Sequence, residues 1–78
     1  MTMLEFLRRS KAGKGRWGKN DPELESAYQH FKDARLAGWI VAPEAHRSSR
    51  RADSAVDFIK VMSVTAAGEQ ELARLAKA

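Results

Sequence analysis

A chain of 78 residues with no cysteine, a net charge of +4 and 31% charged side chains makes at most one domain, with no disulfide to support it and little room for an enclosed substrate pocket. The two histidines, His30 and His46, are far apart in sequence and lack any cysteine or HxxxH spacing, so no metal and no cofactor are expected. No run approaches the roughly 18 apolar residues of a membrane span, and Met1–Arg9 lacks the pattern of a secretory leader, which makes a non-membrane, cytoplasmic location the default expectation.

In chain order, Thr2-Met3-Leu4-Glu5 reads as a capping box. It predicts a helix over 3–11 with Met3, Leu4 and Leu7 on one face. Residues 12–20, Ala-Gly-Lys-Gly-Arg-Trp-Gly-Lys-Asn, hold three glycines and read as a connector. Residues 8–19 carry Arg8, Arg9, Lys11, Lys14, Arg16 and Lys19 with no acid, which makes the end of the helix and the connector strongly basic. Gly13 to Lys19 matches G-x-x-x-x-G-K, but Asn20 follows where a phosphate-binding loop needs Ser or Thr. No strand is expected before it, so nucleotide binding is set aside.

Asp21-Pro22 predicts the start of a second helix, with Asp21 as N-cap and Pro22 at the first helical position. Leu24, Ala27, Tyr28, Phe31 and Ala34 form its apolar stripe, and Gly38 fits a left-handed C-terminal residue. The helix should span 22–37. Glu23, Glu25 and Asp33 make it acidic, and Ser26, Gln29, His30 and Asp33 are expected on its outward face.

Trp39-Ile40-Val41-Ala42 predicts a short strand ended by Pro43, with Trp39 in the core. Residues 43–55 are polar and rich in Arg and Ser, and read as a long loop. Val56 to Val64 has strand composition with apolar residues on both faces. The two strands should pair as an antiparallel hairpin around that loop. Thr65 should cap a last helix, and the bare Cα of Gly68 should let that helix approach the sheet closely. None of these helices is long enough to stand alone in water. They are therefore expected to share one core of Leu4, Leu7, Leu24, Tyr28, Phe31, Ile40, Phe58, Val61, Leu72 and Leu75.

The run Ala34-Arg35-Leu36-Ala37-Gly38-Trp39-Ile40-Val41 resembles the passage from recognition helix into wing in small bacterial and phage winged-helix DNA-binding domains. Ser63-Val64-Thr65-Ala66-Ala67-Gly68-Glu69-Gln70-Glu71-Leu72 is similar to the segment that leads such domains from the wing into a closing helix. The resemblance covers residues 22–75. It implies a single α+β domain over 1–78, winged-helix-like, with about three helices on a two-stranded antiparallel hairpin and a long basic wing loop at 43–55. It also implies a helix that reads a groove and a wing that touches the backbone.

The candidate nucleic-acid contacts are Arg16, Trp17 and Lys19 in the connector, Ser26, Gln29 and His30 on the 22–37 helix, and Arg47, Arg50 and Arg51 in the wing. Trp17 has two readings, a stacking side chain for a base or a core residue. Catalysis has no support, because no nucleophile with a base and no environment-split pair of acids is present. The expected function is a small regulatory protein that binds double-stranded DNA, in a phage or bacterial setting. The alternative is a protein-binding module, such as a phage or mobile-element protein that docks on and inhibits a host protein through the acidic helix. A homodimer is expected, because a domain of this size has a thin margin of stability.

Overall fold

A computed structural model of the protein describes residues 1–42, 46–47 and 56–77; of residues 46, 47, 56 and 57 it describes the backbone alone. Helix α1 spans Met3–Lys11, and the Thr2 hydroxyl accepts from the Glu5 backbone N–H at 3.2 Å. Its buried face is Phe6, Leu7 and Ser10, while Leu4 is only half-buried. The expected Met3/Leu4/Leu7 face is thus rotated towards Phe6. The cause is an aromatic partner further along the chain: Phe6 stacks on Trp17, with centroids 5.1 Å apart and planes 13° from parallel. Ser10 can sit in this apolar face because its hydroxyl donates to the Phe6 carbonyl at 2.8 Å.

The basic connector is not a free arm. Arg16–Trp17 forms strand β1, which pairs antiparallel with a later strand. Gly15 makes this approach possible: a Cβ there would meet the Val61 Cβ at 3.0 Å and the Ser10 Cα at 3.1 Å. Arg9 secures the same segment. Its guanidinium lies 4.4 Å from the centre of the Trp17 ring, Nε donates to the Lys14 carbonyl, and a terminal nitrogen donates to that of Arg16.

Helix α2 spans Leu24–Ala37, two residues later than its expected start. Asp21 folds a turn instead of capping the helix, its carboxylate accepting from Glu23 N–H at 2.9 Å. Leu24, Ala27, Phe31 and Ala34 are buried as the spacing requires, and Gly38 closes the helix in the left-handed conformation at φ 77°.

Four more strands follow: β2 (Ile40–Val41), β3 (His46–Arg47), β4 (Val56–Lys60) and β5 (Ser63–Val64). The hairpin is antiparallel at both levels. Ile40 pairs with Val64 and Val41 with Ser63, and further out His46 pairs with Phe58 and Arg47 with Val56. Residues 46–47, expected in the loop, are therefore strand. The rest of the 43–55 segment lies outside the described residues. β4 is central, with β1 on one side and β3 on the other.

Helix α3 spans Ala66–Lys77. The Thr65 hydroxyl accepts from Gly68 N–H at 3.0 Å and donates to the Gly38 carbonyl at 2.6 Å, tying the start of α3 to the end of α2. Gly68 rests directly on the Trp39 carbonyl, where no Cβ would fit.

The result is an α+β domain of three helices on an antiparallel hairpin, with β1 as an added third strand. The core joins Phe6, Leu7, Trp17, Leu24, Ala27, Phe31, Ala34, Ile40, Ile59 and Val61, with Tyr28, Trp39, Leu72 and Leu75 partly buried against it. Ile59, not the expected Phe58, is the inward residue of β4. Side chains alternate along a strand, so once Trp17 and Ile59 face the helices, Arg16, Phe58 and Lys60 face the other way.

Candidate nucleic-acid interface

The helices cover one face of the sheet. On the other face Arg16 and Lys60 are exposed and Phe58 is half-buried. On that outer face β1 contributes Arg16 and β4 contributes Phe58 and Lys60. At the foot of the hairpin, Val41 and Met62 are 53% and 60% exposed beside exposed Ser63. The Met62 N–H donates to the Val41 carbonyl at 2.8 Å, so these two residues are bonded neighbours.

Arg16 and Lys60 are directly opposed across the β1–β4 pair. The Val61 N–H donates to the Gly15 carbonyl at 2.8 Å, which makes the adjacent Gly15/Val61 position the hydrogen-bonded one. Arg16/Lys60 is then a non-hydrogen-bonded pair, where opposed Cα atoms come to about 4.5 Å and side chains are closest. Two cations in that position repel each other and weaken the pairing. The Arg16 guanidinium lies 5.7 Å from the centre of the Phe58 ring, a cation–π contact that holds it over the sheet.

Lys14 and Lys19, both exposed, flank β1 in sequence. The ion pairs found among the described residues are Lys11 with Glu69 at 3.3 Å and Arg74 with Glu71. Neither draws in Lys14, Arg16, Lys19 or Lys60. Arg16 of the connector and Lys60 of the hairpin stem are opposed on adjacent strands, so these two charges add on one side of the sheet.

Several candidate residues are placed otherwise than expected. Trp17 is fully buried. Its reading as a stacking side chain for a base is corrected, and it is core because a small domain gains most from enclosing its largest aromatic. Ser26 and His30 do not form an outward reading surface. The Ser26 hydroxyl donates to the Met1 carbonyl at 3.4 Å, His30 Nε2 is 3.0 Å from the same oxygen, and the His30 ring tilts against Phe6. Both are half-buried against the start of α1, and of the three helix candidates only Gln29 is exposed. Arg16 and Lys19 are exposed as expected. Arg50 and Arg51 lie outside the described residues, and Arg47 is described only as backbone in β3.

Phe58, Lys60, Met62 and Val41 were not among the sequence candidates. The run Phe58-Ile59-Lys60-Val61-Met62 has apolar residues in both alternating positions, so its period fits either face. The charges of β4 do not decide either, since Asp57 and Lys60 stand at opposite parities of the strand.

These features define the class of the protein: a small α+β domain whose sheet is covered by helices on one side and presents cations and an aromatic side chain on the other. No family model matches the chain, and neither does any curated protein or solved structure. Among the described residues no helix is long and apolar enough to cross a membrane.

Proposed function

We propose that this is a winged-helix-like nucleic-acid-binding protein of regulatory type, and that it meets its ligand with the open face of the sheet and the hairpin. The observation that carries this reading is the Arg16/Lys60 pair. Opposed like charges cost stability in the free protein, and a phosphate lying between them would turn that cost into attraction. The α2 face supplies less. Ser26 and His30 are occupied by the Met1 carbonyl, and Glu25 and Asp33 on the same helix would repel phosphate. Duplex DNA approached this way would be held through its backbone, with little reading of bases by α2.

The test is a titration with nucleic acid at about 50 and about 200 mM salt, a range over which counterion release is readily measured. If Lys14, Arg16, Lys19 and Lys60 each neutralise one phosphate, the log–log slope for duplex should be about −3.6. Arg16→Ala with Lys60→Ala should reduce that slope by about 2. Binding that ignores salt, or that survives the double change intact, would defeat the proposal.

A second reading has its own support. Exposed Glu23, Glu25 and Asp33 accompany Leu36, which is 91% exposed at the end of α2. Over Leu24–Ala37 the two acids are balanced by Lys32 and Arg35, so a docking face for a protein partner would rest on the acids at the start of the helix and the apolar residue at its end. Retention of a partner by the protein, lost in Leu36→Ala and unaffected by Arg16→Ala, would favour it.

A further inference from the structure

Cations alone would suffice to hold a phosphate backbone. The outer sheet face carries more than cations, and its aromatic ring needs a ligand that offers apolar surface. Phe58 is half-buried with the Arg16 guanidinium over its ring, and exposed Met62 and Val41 lie beyond this sheet, at the foot of the hairpin. In a duplex the flat faces of the bases are stacked on each other and hidden. In an unpaired strand they are free, and they alternate with phosphates along the chain. Phe58 and Lys60 show the same alternation of ring and charge on one strand face, about 6.6 Å apart at the usual rise per residue. Arg16 adds a second cation across from Lys60 and, over the Phe58 ring, a planar guanidinium able to stack on a base or to bind a phosphate.

We infer that the open sheet face prefers a single-stranded nucleic acid over a duplex, with Phe58 as the stacking platform for an unpaired base and Arg16 and Lys60 on the flanking phosphates. This rests on the nucleic-acid reading above and adds the strandedness of the ligand.

The experiment is an anisotropy titration of the full chain with a labelled oligonucleotide of about 12 nucleotides, within the usual span of single-strand sites, and with the duplex of the same sequence at the same salt. The single strand should bind at least about fivefold tighter, and Phe58→Ala should weaken it by about tenfold, as loss of one base stack does, with the duplex little affected. Because Phe58 is half-buried, Phe58→Leu is run beside it. This variant keeps the apolar bulk and the fold, and should still lose most of the single-strand affinity. Arg16→Ala should weaken both ligands.

A duplex bound as tightly as the strand, or Phe58 variants with unchanged single-strand affinity, would overturn this inference and leave the broader reading standing. Salt-insensitive or absent binding of both ligands would overturn the two together.

Discussion

The guanidinium of Arg9 lies 4.4 Å from the centre of the buried Trp17 ring while its nitrogens donate to the Lys14 and Arg16 carbonyls. A side chain on α1 thus fastens both the ring and the backbone of β1, and the cationic strand depends on it for position. Arg9→Ala should cost about 1–2 kcal/mol, from the lost cation–π contact and two charge-assisted hydrogen bonds. Arg9→Lys keeps the charge but not the planar fork, and should recover only part of that. Urea unfolding of the three proteins measures it. Equal stability across the set would show that Arg9 is only a surface cation.

Trp17 predicts a contrast between two substitutions. Trp17→Ala would empty the centre of the core and cost about 3–5 kcal/mol, enough to unfold a large fraction of so small a domain. Trp17→Phe should cost much less. It keeps an aromatic against Phe6 and removes an indole N–H that is buried without a partner. Thermal melts followed by circular dichroism distinguish the two, and a phenylalanine variant as unstable as the alanine one would contradict this account.

Gly68 sits inside a helix, where alanine is ordinarily better by about 1 kcal/mol. Here the sign should reverse. The new methyl would collide with the backbone carbonyl of Trp39 and with the Val64 side chain, and backbone cannot step aside as a long side chain can. Gly68→Ala should destabilise by about 1–3 kcal/mol, read as a lower urea midpoint. A gain in stability would mean α3 does not rest on the Trp39 carbonyl as described.

Thr65 links two helices through one hydroxyl, which accepts from Gly68 N–H and donates to the Gly38 carbonyl. Thr65→Ala should cost about 1–2 kcal/mol as a lost N-cap, and Thr65→Ser, which retains both bonds, should stay within about 0.5 kcal/mol of the parent. Hydrogen exchange adds a local check. The amides of the first turn of α3 should lose protection in the alanine variant and keep it in the serine one.

The Arg16/Lys60 pair predicts that stability and function move in opposite directions. Lys60→Glu replaces a like-charged cross-strand pair by an opposite-charged one and should raise stability by about 0.2–1 kcal/mol. The same change should strongly weaken nucleic-acid binding, since it removes one phosphate contact and adds a repulsion. Thermal unfolding and a binding titration on one preparation give both numbers. A variant that is less stable, or that binds as well as the parent, would remove the pair from the interface.

Local signals made much of this fold legible. Thr2 and Glu5 marked the start of α1, Gly38 the end of α2, and Gly68 the close approach of α3, because each depends on backbone geometry within a few residues. The hairpin followed from two apolar runs separated by a polar one. Strand β1 was not legible. A two-residue strand within a glycine-rich segment has no periodicity to detect, and it exists because β4 offers an edge and Gly15 lets the backbones meet. Ser26 and His30 were expected to face outward because their helical positions are polar. Position on a helix does not reveal that another part of the chain, here the Met1 carbonyl, lies against it.

By itself the sequence determined the α+β class, the three helices with most of their caps, and the concentration of positive charge between Arg8 and Lys19, all properties of neighbouring residues. Only the tertiary structure decided that Arg16, one of these cations, lies on a strand beside the hairpin stem, that Trp17 faces inward, and that Phe58 turns outward while Ile59 turns in. Those outcomes depend on which edges and faces of distant segments meet, and a strand with apolar residues in both parities takes its orientation from its partners.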